Sequence, residues 1–136
     1  MKELTTINNN YTIYLTRLGT GGDVLSYSSE ILRGNTETII LAILMNKDSY
    51  GYEIMKTIIE GSEGLFSIKD ATVYTAFKRM EKNKLITSYW GNGDSGARRK
   101  YYSITQKGKD EYIRKVKEWK RINIVLNNLI SGGRLL

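Results

Sequence analysis

The stretch from Thr72 to Lys100, TVYTAFKRMEKNKLITSYWGNGDSGARRK, decides how the chain is read. Val73, Phe77 and Met80 recur at i, i+4 and i+7, which predicts one apolar helix face, with Leu85 and Ile86 closing a core after the turn. The opposite face carries Thr72, Thr75, Lys78, Arg79 and Lys82. Two β-rich runs follow, Ile86–Trp90 and Arg99–Ile104, separated by Gly91–Gly96, so a hairpin is expected. Between Lys69 and Lys100 there are eight basic residues (Lys69, Lys78, Arg79, Lys82, Lys84, Arg98, Arg99 and Lys100) against three acids, so most of the chain's net charge of +7 sits here. A basic helix followed by a charged hairpin is the arrangement in which a recognition helix and a wing meet DNA. Cations neutralise phosphates, while the helix-start hydroxyls of Thr72 and Thr75, with Tyr74, reach backbone or base edges. A single surface Lys is as often merely solvated; the expectation rests on the agreement of helix polarity, hairpin and the Arg98-Arg99-Lys100 run.

Composition narrows the function classes. The chain has 136 residues, 40% of them hydrophobic, which is enough for one domain with a terminal extension. It contains no His and no Cys, which excludes zinc fingers, disulfides, thiol nucleophiles and Ser-His-Asp catalysis. No catalytic residue, metal ligand or cofactor site is expected, and an enzyme is not. No apolar run is long enough to span a bilayer and no leader pattern is present, so a cytoplasmic protein without a membrane partner is expected.

Working outward, Lys69–Asn83 is expected to be the third helix of a helix-turn-helix, with Ser67-Ile68-Lys69-Asp70 reading as a capping box. Leu65, Phe66 and Ile68 read as an apolar connector and minor strand. Before it, Ser49 is expected to cap a helix over Tyr50–Ile59, with Tyr52, Ile54, Met55 and Ile58 in the core. The first helix is placed at Ser29–Met45, capped by Ser28 or Ser29, with Leu32, Ile39, Ile40, Ile43 and Leu44 facing the core. A second, uncharged stripe on that helix holds Ile31, Gly34, Asn35, Thr38 and Ala42; it suits either burial on two sides or contact with another subunit. Residues 1–28 are rich in Thr, Asn and Gly and are expected to be a flexible N-terminal extension or to lie outside the native product, with a start near Val24 or Leu25.

Thr105 is expected to cap a last helix from Gln106 to about Ile130, ended by Gly132-Gly133, with 132–136 as a tail. Tyr112, Val116, Trp119, Ile122 or Asn123, Leu126, and Leu129 or Ile130 form a stripe along its whole length. At about 1.5 Å per residue this helix is roughly 37 Å long, more than a small three-helix unit covers. It is therefore expected to bury its stripe against a second copy. On residue type alone Trp119 suits a dimer-core aromatic, or a flat platform for a planar ligand at the two-fold axis. The fold class is mainly α with a small β-hairpin (α+β): a winged helix-turn-helix over 29–105 and a dimerisation helix over 106–131.

The segments ILRGNTETIILAIL, SYGYEI, ATVYTAFKRMEKNKLI, SYWG, RRKYYSIT and KEWKRINIVLNNL, in this order and spacing, resemble the PadR family of bacterial transcriptional regulators. The likeness covers roughly residues 29–130 and is greatest to the small subgroup with one C-terminal helix, especially its multidrug-resistance branch known from lactococci. It implies a homodimeric repressor of double-stranded promoter DNA, controlling efflux or detoxification genes. It further implies a flat pore between subunits in which Trp119 stacks on planar aromatic, often cationic drugs, with Ile31, Gly34, Asn35, Thr38, Ala42 and Val116 lining it. Asn123 stands where close relatives carry an acid; Glu37 or Glu118 is the expected substitute. The extension 1–28 has no counterpart in the family pattern. Two alternatives stay open: a regulator of phenolic-acid or other stress responses without a drug pore, and a winged-helix module that docks an acidic protein.

Overall fold

The apolar spacing of residues 73–80 forms an inward helix face, and the rest of the domain packs around it. The structure, a computed structural model, describes residues 30–132 apart from 65, 67, 94 and 95. In chain order the elements are α1 (Thr36–Asn46), β1 (Ser49–Tyr50), α2 (Gly51–Gly61), α3 (Asp70–Lys82), β2 (Ile86–Asn92), β3 (Arg98–Ile104) and α4 (Gln106–Ser131). Val73, Ala76, Phe77 and Met80 of α3 are buried with Ile40, Leu41 and Leu44 of α1 and Ile54 and Ile58 of α2. Phe66, Leu85, Ile86 and Tyr102 complete this core. Burial pushes the Tyr102 hydroxyl up to about 12, with the Glu81 carboxylate adding to the effect.

The sheet is antiparallel in the order β1-β3-β2. β2 and β3 pair from Ile86 opposite Ile104 to Asn92 opposite Arg98. The third strand lies elsewhere than expected. It is Ser49–Tyr50, paired with Tyr102 and Tyr101, and not the connector around Phe66 and Ile68, whose side chains instead pack on the core. Expected as a helix start, Ser49-Tyr50 is drawn into the sheet by the pairing edge β3 offers.

This changes how α2 begins. Tyr50 is its N-cap and makes no side-chain cap. Ser49 is fully buried and donates to Glu53 Oε1 at 2.6 Å, while Lys47 Nζ lies 3.4 Å from Oε2. The Ser49 bond, and secondarily Lys47, holds the Glu53 carboxyl below its ordinary range against the opposing effect of burial. The capping box also fails: Lys69 is the N-cap of α3 without a side-chain bond, and Asp70 is its first residue, not its third. Ser67 lies outside the described residues. Tyr52, expected in the core, is exposed, whereas Leu41, which the sequence reading left out of the core, is fully buried.

The first helix is interrupted. A turn at Glu30–Arg33 gives way at Gly34-Asn35, and α1 proper starts at Thr36. Thr36 Oγ1 donates to the carbonyl of Arg33 at 3.0 Å, and Asn35 Nδ2 to that of Ile31 at 2.8 Å, so side chains replace ladder bonds across the break. The expectations for 1–28, for a cap at Ser28 or Ser29, and for the tail beyond Gly132 lie outside the described residues.

The last helix starts and ends as its capping signals predict. The Thr105 hydroxyl accepts from Gly108 N at 3.0 Å and donates to the Lys84 carbonyl at 2.7 Å, tying the helix start to the end of the turn after α3. Gly132 ends it in the left-handed conformation, with φ 63°. Gly108 is required by proximity: a Cβ there would sit 2.1 Å from the Leu85 carbonyl oxygen and 2.7 Å from Ile104 Cγ1.

Two predictions follow from this packing. In an open helix Gly→Ala stabilises by up to about 1 kcal/mol; Gly108→Ala should instead cost about 2–3 kcal/mol, because the new methyl meets backbone that cannot yield. Urea unfolding followed by circular dichroism measures it, and an unchanged or raised midpoint refutes it. Ser49→Ala should cost about 2 kcal/mol at neutral pH, the size of a hydrogen bond to a charged group. Glu53's carboxyl is depressed in the folded state, so its contribution is present above the unfolded value and lost as pH falls through the folded one. The gap between wild type and Ser49→Ala should therefore narrow in acid.

Candidate nucleic-acid interface

The side chains of α3 divide by helical angle into a buried face, an outward face and two flanks. Outward lie Thr75, Lys78 and Lys82, all exposed, with Lys69 exposed at the N-cap. Among the described residues Lys69, Lys78 and Lys82 make no ion pair. On the α2 flank, Tyr74 lies edge-on to Phe77 at 5.6 Å and covers Gly51, whose hypothetical Cβ would be 2.6 Å from the Tyr74 hydroxyl. Tyr74 thus sets how closely α2 and α3 cross, a packing role beside any contact with DNA. On the α1 flank, Thr72 is half-buried and Arg79 is ion-paired through Nε to Glu37 of α1.

The wing is held to α3 from one face. The Phe77 ring stacks on Tyr102 with centroids 3.9 Å apart, and Ser88 donates to Glu81 Oε2 at 2.8 Å. Strand alternation then splits the run Arg98-Arg99-Lys100, which the sequence presented as one basic exit. Arg98 and Lys100 share the α3 side with Trp90; the Arg98 guanidinium lies 5.1 Å from the Trp90 ring centre, and Lys100 Nζ 5.8 Å from that of Tyr102. Arg99 projects to the other face, 4.5 Å over Tyr50 in a cluster with Tyr101 and Tyr89. Tyr89 donates to Asp48 Oδ2 at 2.7 Å, and that bond raises its hydroxyl pKa. Exposed Trp90, with a cation over its ring on the recognition-helix side, is a candidate contact the sequence reading passed over. Its equal parity with Lys100 across the hairpin was the available signal.

The residues expected at a dimer seam separate into two groups. Tyr112 is half-buried against its own domain's core, and Val116 and Asn123 are half-buried. Trp119, Ile122, Leu126, Leu129 and Ile130 are exposed, Leu129 at 74% and Ile130 at 70%. Val125 is exposed too and widens this apolar face, while exposed Ile124 stands apart from it among polar residues. The stripe on the first helix is open at Ile31 and Gly34 and half-covered at Asn35, Thr38 and Ala42. Ala42 also borders an apolar groove of about 410 Å³ between α1 and α2, with Ile39, Ile43, Ile58 and Phe66.

Neither expected replacement acid joins the Trp119 stripe. Glu37 is committed to Arg79, and Glu118 lies about 100° around α4 from Trp119, paired with Arg114 at 3.3 Å. The described residues hold no cluster of metal-ligating side chains, and no described helix is long and apolar enough to cross a membrane.

Three packed helices, a paired wing and a basic outward helix face define a winged helix-turn-helix of the transcription-regulator class. Residues 40–114 match the transcriptional regulator PadR-like family. A protein of Lysinibacillus sphaericus is 40% identical over 104 residues, spanning 76% of this chain and 95% of that relative. Among solved structures, a transcriptional regulator from Clostridium thermocellum superposes with a TM-score of 0.68 at 45% identity, covering 74% of this chain and 97% of that one. A PadR family transcription regulator from Clostridium difficile gives 0.64 at 46% identity, covering 71% and 98%. The chain belongs to the PadR-like family of transcriptional regulators, and it is a DNA-binding regulator.

The close contact between Gly51 and Tyr74 yields a test of how α3 is held. Gly51→Ala should destabilise by about 0.5–1 kcal/mol, the cost of pushing the exposed end of the Tyr74 ring off its rotamer. In a Tyr74→Ala background, where nothing overlies the new methyl, the same change should cost less than a few tenths. Equal costs in both backgrounds, by thermal or urea unfolding, would refute this contact.

Proposed function

We propose that this protein is a homodimeric repressor that binds promoter DNA through α3 and the wing and is released by planar hydrophobic compounds stacking on Trp119. One observation carries the dimer: from Trp119 to Ile130, α4 presents Trp119, Ile122, Val125, Leu126, Leu129 and Ile130 to solvent along one broad face. At about 1.5 Å per residue its 26 residues reach about 39 Å, well beyond the domain. Surface of this kind marks an interface, and two-fold readers of DNA need one to set the spacing of their recognition helices.

In this reading α4 is both seam and sensor. Trp119, half-exposed in the single chain, gives a flat face beside Val116 and Asn123 of α4, and Ile31, Gly34, Asn35, Thr38 and Ala42 supply the uncharged wall opposite. None of these positions carries a carboxylate, so flat neutral aromatics bind at least as well as flat cations. A ligand regulates only through preferring one separation of the recognition helices over another; widening the α4 seam is that preference. Lys69, Thr72, Tyr74, Thr75, Lys78, Lys82, Arg98, Arg99 and Lys100 make up the proposed DNA contacts, with Arg99 reaching DNA only around the outer edge of the wing; Arg79, expected among them, is held in an ion pair with Glu37.

The chain has two tryptophans, so Trp90→Phe leaves Trp119 as the sole indole reporter. In that background a planar aromatic dye should quench the emission, and Trp119→Ala should abolish dye binding. Light scattering should give twice the 15.6 kDa chain mass, and Leu126→Glu should give one chain and lose retardation of promoter fragments. Dye binding that survives Trp119→Ala refutes the stacking role; a monomeric wild type refutes the seam.

A further inference from the structure

Of the basic residues that the sequence places on the third helix, Arg79 is distinguished by its partner. Its Nε donates to Glu37 Oε2, a pair that bridges 42 residues of sequence and joins the first turn of α1 to the last turns of α3. The Glu37 side chain is only 16% exposed, whereas that of Arg79 is 58% exposed. The carboxylate is thus sunk between two helices, and the guanidinium reaches out beside the basic face. Along the same flank runs a groove of about 310 Å³ lined by Arg33, Thr36, Thr72, Thr75 and Arg79. The groove reaches the outward face at Thr75.

A carboxylate in this position does two things to an approaching phosphate. It occupies one of the guanidinium's five N–H donors, the Nε–H, and it sets a negative charge against the guanidinium that a phosphate must compete with. Pairing in a half-dry setting strengthens both effects over a fully solvated pair. Lys78 and Lys82, outward and unpaired among the described residues, meet no such competition.

We propose that Glu37 competes with DNA phosphate for Arg79, acting as a positioning residue by which α1 restrains sequence-independent binding of the recognition helix. The proposal rests on the reading of α3 as the DNA-binding helix. Nonspecific affinity comes almost wholly from phosphate neutralisation, so withholding one cation per protomer lowers it while leaving the outward contacts of Thr75, Lys78 and Lys82 in place. The cost to the regulator is affinity; the gain is a larger ratio of specific to nonspecific binding.

The sign of the effect makes it testable with the whole protein and a short mixed-sequence duplex, by fluorescence anisotropy at several salt concentrations. Glu37→Gln, nearly isosteric, should tighten binding about threefold to tenfold at low salt and steepen the log Kd against log salt slope by about 0.9 per protomer, one further phosphate contact. Arg79→Gln alone should change the slope little, since the charge it removes was already neutralised. In the Arg79→Gln background the effect of Glu37→Gln should vanish. Glu37→Ala, with its fold checked by circular dichroism, should tighten binding in the same direction. A buttress that merely held the helices would predict the reverse, weaker binding in every Glu37 variant. Wild type that binds while Glu37→Gln binds no tighter, or a gain that persists without Arg79, overturns the proposal alone. Wild type that fails to bind the duplex even at low salt overturns the DNA-binding role of α3 together with it.

Discussion

The ring of Phe77 lies on that of Tyr102, centroids 3.9 Å apart and planes 23° from parallel. This contact joins the two parts of the molecule proposed to face DNA, and most of the fold depends on it. Phe77 is the central apolar residue of α3; Tyr102 is the residue of β3 opposite both Ser49 and Ser88. Buried aromatics of this kind contribute the largest share of burial energy per residue, and their flat faces constrain angle as well as distance. With the rings stacked, α3 and the wing cannot rotate relative to one another without opening the core. The register of β3 then decides which cations stand on the recognition-helix side, Arg98 and Lys100, and which does not, Arg99.

Close backbone approach at two glycines carries the same rigidity outward. Gly51 lets Tyr74 of α3 lie directly on the start of α2. Gly108 lets the first turn of α4 sit on the Leu85 carbonyl, where the Thr105 hydroxyl bonds the same short turn. The long helix therefore leaves the domain at an angle set by the end of the recognition helix itself. A change in the direction of α4 is a change in the placement of α3. That linkage makes a proposed sensor on α4 mechanically sensible, since the first turn of α4 packs directly on the turn that ends α3.

Much of this was legible in the residues. Val73, Phe77 and Met80 at helical spacing, two β-branched and aromatic runs around a Gly-rich tip, and a Thr-capped final helix are local signals, and each depends on contacts within a few residues. Family membership was legible too, because the motifs occur in a fixed order. Less legible was anything decided between distant segments. Ser49-Tyr50 reads as a turn and helix cap because nothing local reveals that β3 has an open edge to pair with. Tyr52 reads as core by type and spacing but points to water, and Leu41 fills the interior beside Ile40. Gly34-Asn35 falls inside the expected helix, yet the helix is interrupted there.

The sequence by itself determined the third and last helices and the hairpin, the basic character of the third helix and the apolar stripe of the last, because charge, periodicity and capping are properties of short stretches. Only the tertiary structure decided how those charges are used. It divided Arg98-Arg99-Lys100 between two faces through the pleat of β3. It gave Tyr112 to the domain's own core and left Trp119, Ile122, Leu126, Leu129 and Ile130 exposed. It bound Arg79 to Glu37, and so took from the proposed ligand wall the acid that the sequence had offered it. The reason is the same in each case: a side chain's partner is set by which element lies across from it, and that is decided by the packing of the whole core.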